Sequence, residues 1–145
     1  MSLHVSRIHY SRGELSLDRK CKYTQTVSLK PEGLWYSVGT SWEEWCKGED
    51  FKLDDLDSRR ALDLKIDRML QLGCRQEIVD FGKEYGVTLS GKECYIDWPA
   101  VAHFYSGIEI SPYCWEERHS TLWYYGWDCA SGCVWDLDTI IERED

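Results

Sequence analysis

Residues 30–44 read Lys30-Pro31-Glu32-Gly33-Leu34-Trp35-Tyr36-Ser37-Val38-Gly39-Thr40-Ser41-Trp42-Glu43-Glu44, and they hold a turn, a strand and a helix start in direct succession. Proline fixes φ and glycine escapes the steric limits of other residues, so Pro31 and Gly33 mark a turn. Trp35, Tyr36 and Val38 are aromatic and β-branched types that suit a pleated, half-buried backbone, which makes residues 34–38 a short strand closed by Gly39-Thr40. Ser41 and Glu44 then stand in Ser-x-x-Glu spacing, where each side chain satisfies an amide left unpaired in the first helical turn. A short helix over residues 41–47 follows.

Toward the N-terminus, Val5, Ile8 and Tyr10 run through polar neighbours as an opening strand over residues 3–10, ended by Ser11-Arg12-Gly13. Toward the C-terminus, Leu62, Leu64 and Ile66 alternate with Asp63, Lys65 and Asp67, putting three aliphatics on one strand face. Met69, Leu70 and Leu72 continue it after a bend. Ile78, Val79, Phe81 and Tyr85 fall at helical spacing over residues 75–85, with Gly86 as the stop. A second helix is expected from Asp97, with Trp98 and Pro99 in its first turn, broken by Ser106-Gly107. Ile108-Glu109-Ile110 reads as a short strand, and residues 122–127 and 133–137 as two closing strands. Strands outnumber helices, and no repeat, low-complexity tract or linker divides the chain. The expected fold is α+β, one strand-rich domain over residues 1–145 with short helices.

A chain of 145 residues buries about 70% of its unfolded surface, and 43% hydrophobic with 30% charged residues is a globular composition. The net charge of −9 disfavours nonspecific binding to nucleic acid or anionic membranes. Arg12, Arg19, Lys20, Lys22 and Lys30 gather near the N-terminus as a solvated basic face. No stretch approaches the roughly 18 apolar residues of a membrane span, and the first residues lack the apolar run of a signal peptide, so a cytoplasmic protein is expected. Its seven cysteines are then reduced thiols, mainly core fillers.

Eight tryptophans and nine tyrosines exceed what a core of this size needs. Rings with polar edges suit an aromatic-lined pocket for a flat ligand as well as a core. Trp127-Asp128-Cys129-Ala130-Ser131-Gly132-Cys133 combines small residues, two thiols and an acid between aromatics, a mixture that suits an ordinary turn beneath a buried Trp as well as a tight turn that a ligand approaches closely. Cys114, His119, Cys129 and Cys133 invite a zinc reading, but paired Cys-x-x-Cys knuckles are missing. A cysteine nucleophile activated by His103 or His119 has no sequence signature behind it.

Arg7-Ile8-His9-Tyr10-Ser11 and Gly33-Leu34-Trp35-Tyr36-Ser37 resemble the first two nucleotide-binding strands of the ADP-ribosyltransferase fold. There a His followed by an aromatic and a Ser or Thr opens the domain, and a Gly-aliphatic-aromatic-Tyr/Phe-Ser/Thr strand follows. The resemblance implies a split sheet and NAD as the substrate cofactor. It casts His9 as partner of a ribose hydroxyl, Ser11 on the nicotinamide side and Tyr36 with Trp35 as the stacking rings. Tyr10 and Ser37 complete the cofactor-binding motifs. A hydroxyl-bonding imidazole suits a ribose diol, and an electron-rich ring suits cationic nicotinamide.

Members of that fold carry a catalytic Glu or Gln on a late strand, where it stabilises an oxocarbenium-like transition state. Here residues 130–136 read Ala-Ser-Gly-Cys-Val-Trp-Asp, without Glu. The substitutes are Glu109, Asp128 and Asp136, with Ser131 at the missing acid's position. Glu109 comes first, because it stands between two apolar residues of a strand whose side chains alternate. The implied activity is transfer of ADP-ribose to a macromolecular acceptor, or cleavage of NAD, in a toxin or phage conflict setting. The second reading is a noncatalytic module that holds a nucleotide or a protein partner in the same aromatic pocket.

Overall fold

The computed structural model describes residues 6–11, 23–39, 42, 46–47, 58–89, 92–118, 122–127 and 129–141. The chain runs β1 (Arg7–Ser11), β2 (Val27–Ser28), β3 (Leu34–Val38), β4 (Ser58–Ala61), β5 (Asp63–Leu64), β6 (Met69–Leu72), α1 (Arg75–Tyr85), β7 (Gly86–Leu89), β8 (Lys92–Asp97), α2 (Trp98–Phe104), β9 (Gly107–Ile110), α3 (Leu122–Tyr125), β10 (Ser131–Val134) and β11 (Ile140–Ile141). The main sheet has the order β4-β1-β3-β10-β9-β6, and a smaller one the order β2-β8-β7. β5 pairs with β11. The architecture is α+β.

In the main sheet β6 and β9 are parallel and the other neighbours antiparallel. Parallel neighbours need a long crossover. Here that crossover carries α1, β7, β8 and α2, so two of the three strands of the second sheet lie inside the connection and β2 joins them from the N-terminal part of the chain.

Strand alternation divides the main sheet into two faces. Trp35, Cys133, Ile108, Ile110 and Leu72 belong to a core shared with Ile78 and Phe81 of α1, Trp98 and Val101 of α2, Ile96 of β8, and Trp123 and Tyr124 of α3. Leu34, Tyr36, Met69 and Val134 face the other way, onto Leu62, Leu137 and Ile140. Both faces are covered, which gives register a direct energetic meaning. A slip of one residue exchanges the two sets.

Several expected elements form as read. α1 covers residues 75–85, with Ile78 and Phe81 buried. α2 starts at Trp98 because the Asp97 carboxylate accepts the Ala100 N–H at 3.2 Å, with Pro99 in the first turn. Trp42, Cys46 and Lys47 are helical, while the capping residues Ser41 and Glu44 lie outside the described residues.

Residues 122–127 depart from the expected strand. Trp123 and Tyr124 are consecutive and both fully buried, which a strand with one core face does not allow. The helical turn α3 sets Trp123 edge-on to Phe81 at 5.2 Å and stacks Tyr124 on Tyr113 at 5.2 Å. Packing overrides the β-preference of the aromatics. The strand expected at residues 62–66 shrinks to Asp63–Leu64, followed by a tight turn at Ile66–Arg68. The strand expected at residues 133–137 is instead β10, which ends at Val134, and Asp136 caps the next turn through the Asp138 N–H at 3.1 Å. The β7–β8 hairpin was not anticipated. No helix among the described residues is long and apolar enough to cross a membrane.

One close approach decides the centre of the sheet. Tyr36 on β3 stands opposite Gly132 on β10, and a Cβ at Gly132 would fall on the Tyr36 ring and hydroxyl. Gly132→Ala must therefore displace a buried ring, and we expect it to cost about 2–3 kcal/mol. Urea denaturation of the variant beside wild type measures this, and an unchanged midpoint would contradict the packing described.

Candidate functional site

β1 pairs with β3 at Arg7↔Val38 and Ile8↔Ser37, yet stays paired with β4 through Ser11↔Ser58. Past Ile8 the ladder between β1 and β3 stops. His9 sits at the opening, its Nδ1 2.6 Å from the main-chain oxygen of Trp35. A carbonyl only accepts, so Nδ1 carries the proton and donates. In the neutral ring Nε2 is then an acceptor, and among the described residues no protein group takes it.

A cavity of about 320 Å³ occupies this wedge. β1 contributes Ile8, His9 and Tyr10 to its lining, and β3 contributes Trp35, Tyr36 and Ser37. Lys30 and Trp42 reach it from the segments on either side of β3, while Trp127, Cys129 and Ser131 close it from the C-terminal side. Trp127 meets Trp35 edge-on, with centroids 5.0 Å apart. Lys30 Nζ lies 5.4 Å from the Trp35 ring centre, a cation–π distance. The Ser37 hydroxyl donates to Gly39 O at 3.0 Å and accepts the Trp42 N–H at 3.1 Å, so it anchors Trp42 to the end of β3. The Ser131 hydroxyl donates to Cys129 O at 3.0 Å and shapes the turn before β10.

Glu109 belongs to a different place. In register, Tyr36, Gly132, Glu109 and Gln71 form one row across β3, β10, β9 and β6. Because Gly132 has no side chain, the Tyr36 phenol passes over it and donates to Glu109 Oε1 at 2.8 Å. Arg7 holds the same carboxylate in a fork, from Nε to Oε1 at 2.5 Å and from Nη2 to Oε2 at 3.2 Å. Gln71 Nε2 donates to Oε2 at 3.4 Å. Glu109 is 5% exposed and does not line the cavity. Its hydrogen bond raises the Arg7 pKa, and burial, reinforced by the Glu109 charge, pushes the Tyr36 phenol far above the usual tyrosine range.

The structure thus gathers His9, Tyr10, Trp35, Tyr36, Ser37 and Ser131 around one cavity, and places Glu109 in a closed network beside it. The Tyr36 hydroxyl is taken by Glu109, so of the two rings expected to stack on a ligand Trp35 is the more exposed. Ser11 is the last residue of the β1–β4 ladder. Asp128 lies outside the described residues, and Asp136 is bound to Arg68 at 2.9 Å. Trp127 and Cys129 belong to the segment that its small residues and thiols already mark in the sequence, whereas Lys30 and Trp42 carry no sequence signal for binding, since a turn lysine and a helix-start tryptophan form no motif. Among the described residues no three His, Cys, Asp or Glu side chains group as metal ligands, and His119 lies outside them. Burial raises the Cys133 thiol pKa well above its ordinary value, which makes it a poor nucleophile.

Two outcomes follow from the Glu109 network. Glu109→Gln leaves the Arg7 guanidinium part-buried without its counter-charge and is expected to cost about 3 kcal/mol in denaturant unfolding. Folding keeps the Tyr36 phenol protonated, whereas the unfolded chain ionises it near a pKa of about 10. Its stabilising contribution is therefore complete below about pH 10 and falls as pH rises beyond it. The stability advantage of wild type over Tyr36→Phe should shrink as pH rises past about 10, approaching a slope of roughly 1.4 kcal/mol per pH unit where the unfolded phenol is fully ionised; a constant difference would show that this phenol is not held neutral. No family model, curated protein or solved structure matches the chain, so its functional reading rests on its own residues and their geometry.

Proposed function

We propose that the chain is a NAD-binding, ADP-ribosyltransferase-like domain whose nucleotide seat is the wedge between β1 and β3. The observation that carries this reading is the His9 imidazole, fixed by the Trp35 carbonyl at an aromatic cavity with its second nitrogen left as an acceptor. Such a nitrogen suits a ribose hydroxyl, and Trp35, Trp42 and Trp127 supply apolar surface for a planar base. The early-strand resemblance asks for the same pairing of imidazole with ring.

A specific observation favours the second reading, binding without transfer. Ribosyl transfer needs negative charge beside the developing oxocarbenium. Among the described residues lining the cavity there is no carboxylate, and Glu109 spends both oxygens on Arg7, Tyr36 and Gln71. Asp128 is the acid that remains to be tried, being next in sequence to Trp127 and Cys129, which both line the cavity.

Calorimetric titration with NAD, together with an assay of nicotinamide release, separates these readings. His9→Ala should weaken NAD binding about tenfold, the worth of one hydrogen bond to a polar ligand group. Release by wild type that disappears in Asp128→Asn supports transfer. Binding without release supports the noncatalytic module, and no NAD binding by wild type would remove the NAD reading.

A further inference from the structure

Among the described residues that line the cavity Lys30 is the one lysine or arginine, and the chain around it is held in place. The Ser28 hydroxyl donates to Lys30 O at 3.0 Å and accepts the Lys30 N–H at 3.3 Å. Two residues on, the Gln25 amide donates to Glu32 O at 2.6 Å and accepts the Glu32 N–H at 2.9 Å. Pro31, between these anchors, is buried. The lysine stem lies against bare backbone, since a Cβ on Gly126 would stand 3.1 Å from Lys30 Cε. Its ammonium is then set beside the Trp35 ring. An exposed lysine ordinarily loses considerable side-chain entropy on binding an anion, and here part of that ordering is already done.

An aromatic cavity with one placed ammonium calls for a ligand with a planar ring and an anionic group a few bonds away. The cavity volume of about 320 Å³ is at the small end of the range for ligand pockets, roughly 300–1,000 Å³. We infer that the cavity encloses a single nucleoside 5′-phosphate, its base among Trp35, Trp42 and Trp127, its ribose at His9 and its phosphate on Lys30. This rests on the nucleotide reading above and narrows it: one half of a dinucleotide is enclosed, and the other half lies outside the wedge.

The test uses the full chain and titration calorimetry with nicotinamide mononucleotide, AMP, the two corresponding nucleosides and NAD, on wild type, Lys30→Gln and Lys30→Arg. One mononucleotide should bind at one site per chain, which also identifies the enclosed base. Removing its phosphate should weaken binding to wild type about tenfold or more, the scale of a charge-assisted hydrogen bond. In Lys30→Gln that difference should largely vanish, and in Lys30→Arg it should return. NAD should bind within about tenfold of the better mononucleotide. Equal binding of nucleoside and nucleotide by wild type would overturn the inference, as would NAD binding about a hundredfold tighter than both mononucleotides. Lys30-dependent mononucleotide binding that NAD does not displace would refute the NAD reading and leave this inference standing. No binding of any of the five compounds would overturn both.

Discussion

An arginine fork, a phenol and a glutamate meet over a bare glycine in the middle of the main sheet, and the register of its central strands depends on that meeting. Tyr36, Gly132 and Glu109 stand in one row of β3, β10 and β9, and Arg7 reaches the same carboxylate from β1. A one-residue slip of β9 would turn Glu109 into the core of Trp98, Trp123 and Trp127 and leave Arg7 without its counter-charge. Burying these groups is costly unless each is satisfied, and both oxygens of Glu109 are. The network contributes less by its net strength than by penalising every other pairing.

Because β3 is fixed on its β10 side, the sheet can open on the β1 side without losing its core. β1 keeps β4 as a partner after leaving β3, so the backbone groups on its β4 edge stay paired while the wedge forms. His9 closes the throat of the wedge through the Trp35 carbonyl, which the parted ladder leaves within reach. The remaining wall comes from segments tied to strand ends, Trp42 through Ser37 and Cys129 through Ser131. A rigid sheet with loops hung on its ends is the usual way to place binding groups, since loop sequence varies at little cost to the scaffold.

The parts of this arrangement readable in the sequence are those set by local rules. Helical spacing located residues 75–85, Asp97 and Pro99 located the start of α2, and Gly33 to Ser37 located β3. The two aromatic-rich segments, one around Trp35 and one from Trp127 to Ser131, were singled out separately, and their meeting at one cavity is a matter of topology that no local pattern encodes. Residues 122–127 misled because aromatics favour strands in isolation, while Trp123 and Tyr124 both found core neighbours only in a helical turn. The role of Glu109 was unreadable for a related reason. An acid between two isoleucines suggests a functional carboxylate, but its partners Arg7 and Tyr36 lie 102 and 73 residues away in sequence.

The same geometry limits where this chain can place an acid beside its cavity. The late strand is β10, and the residue of that strand next to Tyr36 is Gly132, which has no room for any side chain. Glu109, one strand further, faces Tyr36 and Arg7 and cannot turn to the cavity without breaking the pairing that holds the sheet. Gly132 and Glu109 are therefore two halves of one structural solution, in which the carboxylate that stabilises the scaffold is not the one that faces a ligand. A reacting acid, if this fold uses one, must come from a loop and not from the sheet. In sequence, Asp128 stands between Trp127 and Cys129, and Glu32 between Lys30 and Trp35, and all four of these neighbours line the cavity.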